Sequence, residues 1–171
     1  MTNIRYALAV LAAAAAWSLA ASANAQTTQS VNGAINIYTP ALVVNKTSDL
    51  SFGTVSRPTA GNGTVSLDVN SGNVTVTGGI SIISGNPATR AAFTVTGTPQ
   101  TNVNITYPQT FNLTRSGGSE TLQVALTSSV GSGQLNSSGT LSVNMGGQLV
   151  VAANTVAGAY TGTYTVTAVY N

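Results

Sequence analysis

The chain has 171 residues, 43% hydrophobic and only 5% charged, with five Lys or Arg against three Asp or Glu. So few scattered basic residues form no phosphate-tracking patch, which excludes a nucleic-acid partner. The mature sequence has no His and no Cys, which removes most nucleophile–base pairs and most transition-metal sites, so neither an enzyme nor a cofactor is expected.

Arg5 supplies a positive start, residues 7–19 are a short apolar stretch, and Ala23-Asn24-Ala25 is a small-x-small cleavage site. Together they predict a signal peptide over residues 1–25, removed before Gln26. That leaves 171 − 25 = 146 residues, one ordinary domain. The apolar run is too short to span a bilayer, and no later stretch approaches the required 20 or so apolar residues. The mature chain is therefore expected to be secreted, soluble or assembled outside the cytoplasm. Its low charge fits a surface covered by copies of itself or by a partner.

From there on, apolar residues recur with period two between clusters of Gly, Asn, Ser and Pro. Val31, Gly33, Ile35 and Ile37 alternate until Pro40, within an N-terminal segment of residues 26–37. The remaining residues, 38–171, read as the domain proper. Leu42-Val43-Val44 follows, then Leu50 and Phe52 before Gly53. Val65, Leu67 and Val69 predict a strand closed by Asn70-Ser71-Gly72-Asn73. Val74 and Val76 lead into Gly78-Gly79, and Ile80, Ile82 and Ile83 continue. Further strands are predicted around Phe93, Ile105, Phe111, Val124, Val143 and Leu149. Gly146-Gly147 sits inside such a run and marks a bulge or bend. No apolar spacing of three and four persists over eleven residues, so no long helix is expected. Short strands at this spacing, with polar opposite faces, read as an all-β protein: a single antiparallel β-sandwich of two sheets.

Residues 158–171 alternate without a break. Gly158, Tyr160, Gly162, Tyr164, Val166, Ala168 and Tyr170 share one face, while four threonines and Val169 lie on the other. An uncharged, proline-free terminal strand left open is a template for aggregation, so a pairing partner is expected.

The three carboxylates, Asp49, Asp68 and Glu120, fall in separate turns or strands and are read as solvating them. Asp68, Asn70 and Gly72 echo a calcium loop, but the closing acidic residue is missing and a plain turn is the better reading. The threonines resemble an ice-contacting ladder, and the tyrosines could stack on sugars. Strand-face threonine and core-packed tyrosine are the plainer readings of both.

The last fourteen residues resemble the C-terminal strand of chaperone–usher pilins, with a penultimate aromatic residue, Tyr170, and a glycine fourteenth from the end, Gly158. Residues 49–53, Asp-Leu-Ser-Phe-Gly, resemble a segment of spore coat protein U-like secreted proteins. With Gly146-Gly147-Gln148-Leu149 and residues 158–164, they resemble the secreted family called domain of unknown function 4402. The resemblance implies an immunoglobulin-like, pilin-like sandwich lacking one strand, completed by a strand from a periplasmic chaperone and later from the next subunit, with an outer-membrane usher as a further partner. In that scheme the face from Gly158 to Tyr170 is the strand-pairing site. Either the strand beginning at Gly33 opens the sandwich, or Val31, Gly33, Ile35 and Ile37 form the donor strand. The expected function is a non-catalytic structural subunit of a surface fibre or coat. The alternative is a self-complete secreted module that binds carbohydrate or ice.

Overall fold

The computed structural model describes residues 29–30, 32–37 and 40–171. The expected signal peptide, Val31 and Tyr38 lie outside the described residues. Two units are distinguished, residues 1–37 and 38–171. In the first, residues 32–37 form no strand, and Ile35 and Ile37 are 82% and 87% exposed. The sandwich therefore does not open at Gly33. A short alternating segment has no stability as a strand until a second edge pairs with it.

In the second unit the period-two pattern becomes thirteen strands, with no helix among the described residues. They are β1 (Val43–Ser48), β2 (Thr54–Val55), β3 (Asn62–Leu67), β4 (Val74–Val76), β5 (Ile82–Ile83), β6 (Ala91–Thr96), β7 (Asn102–Thr106), β8 (Thr110–Arg115), β9 (Thr121–Ser128), β10 (Ser132–Gln134), β11 (Thr140–Ala152), β12 (Tyr160–Thr161) and β13 (Thr167–Tyr170). Every pairing is antiparallel. The large sheet runs β1-β6-β11-β9-β8-β12, with β3 and β4 attached through β11. A second sheet runs β10-β7-β13, and β2 and β5 form a small ribbon. The architecture is an antiparallel β-sandwich whose large sheet curls so that its end strands, β1 and β12, come to line one groove.

β11 organises this arrangement. Residues Thr140 to Met145 pair with β6, and Gly147 to Ala152 pair with β3 along the same edge, while Met145 to Leu149 pair with β9 on the opposite edge. The partner changes at Gly146-Gly147, where the sequence predicts a bend. A side chain at Gly146 would run into the Leu67 carbonyl oxygen, and one at Gly147 would meet the Ala125 carbonyl oxygen at 2.5 Å. Only glycine lets three backbones meet there. Odd-numbered β11 residues from Val143 to Val151 are buried, as the strand period requires.

The interior holds two apolar clusters. The first gathers Val65, Ile80, Ala91, Val124, Leu126, Met145, Leu149 and Val151. The second gathers Val95, Val103, Ile105, Leu135 and Val143, between the start of β11 and the small sheet. No polar side chain is buried among the described residues.

The C-terminal run departs from the unbroken strand that alternation predicts. Tyr160–Thr161 pairs with β8, Thr167–Tyr170 pairs with β7, and residues 162–166 belong to no ladder. The chain is crossing from the large sheet to the small one, so it loses one backbone partner before it gains the next. Side-chain alternation persists through the gap: Tyr164 and Val166 turn inward while Thr163 and Thr165 stay exposed.

Candidate strand-accepting groove

A groove of about 660 Å³ opens the first cluster to the surface. One wall is residues 46–55, running from the end of β1 to β2, and the other is residues 158–164. Val65, Ala91, Phe93, Phe111, Leu113, Leu122, Leu149 and Val151 lie between them. Of these, Phe93, Phe111, Leu113 and Leu122 are only partly buried. Large apolar side chains at the middle of a closed sandwich are normally covered, so what is missing here is cover.

Part of each wall has one backbone edge engaged and the other free. β1 pairs with β6, and Ser51 continues the edge by a bridge to Thr89. β12 pairs with β8, and the Ser116 N–H donates to the Ala159 carbonyl at 2.8 Å. No hydrogen bond joins the two walls among the described residues. At the other end the gap closes: β1 approaches β13, and Leu42, Val44, Val166, Ala168 and Tyr170 all pack on the second cluster.

This divides the face that the sequence singled out. Gly158, Tyr160, Gly162 and Tyr164 line the groove. Val166, Ala168 and Tyr170 do not; they close the sandwich below it. The reason is the crossing described above, which carries the second half of the run onto the small sheet. The opposite wall, residues 46–55, carries no comparable alternation, and sequence reasoning noted only its Asp-Leu-Ser-Phe-Gly motif.

Local contacts fix the C-terminal wall. Arg115 Nε donates to Glu120 Oε2 at 2.7 Å, and this partner holds the Glu120 carboxyl below its ordinary value. The Arg115 stem lies where a side chain at Gly158 would be, 3.0 Å from its Cβ position. At Gly162 a side chain would run into the Asn112 carbonyl oxygen, so glycine lets this wall press onto β8. Tyr160 donates its hydroxyl to the Val156 carbonyl at 2.7 Å. Tyr164 packs its ring against Phe111, with centroids 4.9 Å apart. Its hydroxyl is buried and has no partner. Burial, with a smaller contribution from the Asp49 charge, pushes this phenol up to about 12.

Of the three carboxylates only Asp49 lines the groove, beside Lys46, which donates to it at 2.5 Å. Asp68 accepts from the Asn70 and Ser71 backbone N–H groups at 3.0 and 2.6 Å, as the plain turn reading expects. No group of three metal-binding side chains is found among the described residues.

One family profile, Domain of unknown function (DUF4402), matches residues 42–170. The chain belongs to the DUF4402 family. The DUF4402 match begins just ahead of β1 and ends with β13, so it contains both groove walls and every strand of the sandwich. The likeness to spore coat protein U-like proteins and to pilins rests on the motifs alone. No curated protein and no solved structure matches the DUF4402 chain.

Proposed function

We propose that this protein is a non-catalytic structural subunit of a secreted surface fibre or coat, and that its groove receives an extended strand from outside the domain. The supporting observation is the pair of free backbone edges, residues 46–55 and 158–164, flanking partly covered Phe93, Phe111, Leu113 and Leu122. A strand laid between them gains main-chain hydrogen bonds on both sides and pockets for alternate side chains. Each Val, Leu or Ile side chain so buried contributes about 1.5–3 kcal/mol, from which the cost of ordering is subtracted. A periplasmic chaperone supplies the strand in transit and a neighbouring subunit supplies it in the fibre.

The sugar- or ice-binding alternative has less support. Tyr160, Tyr164 and Tyr170 turn inward and are engaged or buried, so they offer no exposed stacking platform.

Sedimentation of purified mature protein, over a wide concentration range, tests the assembly reading. Concentration-dependent polymers that disappear when residues 26–37 are deleted are expected. A monomer at every concentration, with no capture by a strand-donating chaperone, would overturn it.

A further inference from the structure

We propose that Asn32 and Gly33 form a self-modification site, at which the folded chain converts Asn32 to aspartate and isoaspartate ahead of every other Asn-Gly or Asn-Ser pair it contains. The chemistry holds whatever the groove receives.

The step needs a side-chain amide, a main-chain nitrogen able to reach it, and water. The Gly33 nitrogen, having lost its proton, attacks Asn32 Cγ. A C–N bond forms, and the side-chain nitrogen leaves as ammonia with the proton that Gly33 gave up. Water then opens the five-membered ring at either carbonyl, yielding aspartate or isoaspartate, and nothing is oxidised or reduced. Glycine in second place favours closure because no Cβ crowds the approach.

Four Asn residues precede Gly or Ser: Asn32, Asn62, Asn70 and Asn136. The fold locks three of them, each by a different device. Asn62 and Gly63 lie in β3, where Gly63 is buried and paired with Val151. The Ala153 N–H donates to the Gly61 carbonyl at 2.9 Å, so the two-residue period of the ladder gives the Gly63 N–H to the Val151 carbonyl. That nitrogen must leave the ladder before it can reach Asn62 Cγ. After Asn70, the Ser71 N–H is tied to Asp68 Oδ1 at 2.6 Å. At Asn136 the amide itself is held: Oδ1 accepts the Ser138 and Thr140 N–H groups, each at 2.9 Å, and Nδ2 donates to Thr140 Oγ1 at 2.8 Å.

Asn32 and Gly33 have none of these restraints. Both are exposed and lie in no strand, and the Gly33 N–H makes no backbone hydrogen bond among the described residues. Apart from its chain neighbours, no described atom lies within 4 Å of where a Gly33 side chain would be. The product changes the segment in two ways. Residues 26–45 carry no charged side chain, and conversion sets a carboxylate among them. Isoaspartate also routes the main chain through the β-carbon, which puts Ile35 and Ile37 out of phase with Val31.

Incubation of the full mature protein in mildly alkaline buffer, followed by tryptic mass mapping with fragmentation, tests this. Asn32 lies in the peptide ending at Lys46, Asn62 and Asn70 in residues 47–90, and Asn136 in residues 116–171. The amide-to-acid mass gain is expected at Asn32, with two products of equal mass, at a rate that rises with pH because the attacking nitrogen must lose its proton. A ladder amide reacts only while its ladder is open, so conversion at Asn32 should outpace that at Asn62 by about tenfold or more. In urea the two rates should converge, and Asn32→Gln should lose the modification from its peptide. Comparable conversion of Asn32 and Asn62 in the folded chain would overturn the proposal, as would an Asn62 that stays inert in urea. No conversion at Asn32 in the folded chain, whatever the unfolded chain does, would overturn it too.

Discussion

The Tyr170 hydroxyl accepts the Thr98 backbone N–H at 2.9 Å, in the space that Gly97 leaves by having no side chain. A Cβ at Gly97 would run into that hydroxyl and sit 2.8 Å from Leu42 Cδ1. The contact ties β13 to the end of β6 and seals the sandwich below the groove. Tyr170→Phe leaves a part-buried N–H without its partner and is expected to cost about 1–3 kcal/mol in urea unfolding. Tyr170→Ala removes the ring as well and should cost about 3–5 kcal/mol. Charged substitutions at Tyr170 should act through folding, with loss of assembly as a consequence.

Tyr164→Phe is expected to behave in the opposite way. Its hydroxyl is buried without a partner, so removing it leaves stability at neutral pH unchanged or raises it by about 1 kcal/mol. Thermal unfolding of the single variant checks this, and a clear loss would show that the hydroxyl is paired in solution.

The same phenol gives the protein an alkaline limit. Folded Tyr164 ionises at about 12 instead of the ordinary 10, so its protonated form is favoured by folding. That stability is fully present below pH 10 and is lost as pH rises toward 12. The full effect is on the order of 2–3 kcal/mol, reduced by whatever water reaches the groove. Spectrophotometric tyrosinate titration should show a late-titrating component that is lost in Tyr164→Phe.

Asp68 sets an acid-side dependence. Hydrogen bonds from the Ser71 backbone and hydroxyl, and from the Asn70 N–H, hold its carboxyl below the ordinary value. Its contribution is present above the ordinary carboxylate pKa and fades as pH falls through the lowered value. Asp68→Ala should lower the urea midpoint at neutral pH, with the gap to wild type narrowing in acid.

Gly146→Ala and Gly147→Ala are expected to be the most damaging alanine substitutions in β11. Each sets a methyl group against a backbone carbonyl, of Leu67 or Ala125, which cannot rotate away. Overpacking of this kind costs about 1–3 kcal/mol or more. Yield of folded protein and urea midpoints measure it.

Most of the strands were legible because each buries one face, and burial writes itself into alternate residues such as Val65 and Leu67 or Val143 and Met145. At Gly146-Gly147 the sequence predicts a bulge or bend, but β11 runs on unbroken and in register with β9, and the glycines mark instead the change of partner from β6 to β3. The groove was legible by half. Tyr160 and Tyr164 stand out by their spacing, but whether an alternating residue faces a covered core or an open one depends on a strand far away in sequence. Ala168 and Tyr170 share their phase and pack on the second cluster instead, while Val166 touches both clusters. The wall at residues 46–55 carries its free edge in backbone groups, which no side-chain pattern records.

Strands β3, β6 and β9, from three separate stretches of the chain, all dock on β11, and β1 joins the sheet only through β6. No large sheet can form until residues 140–152 are available, and loops of tens of residues must close first. Folding should be slow for a domain of this size. During that delay uncharged strands such as β6 and β9 hold unpaired edges toward one another and toward other chains. A helper that holds the early strands apart until β11 arrives would raise the yield even if it never touched the groove.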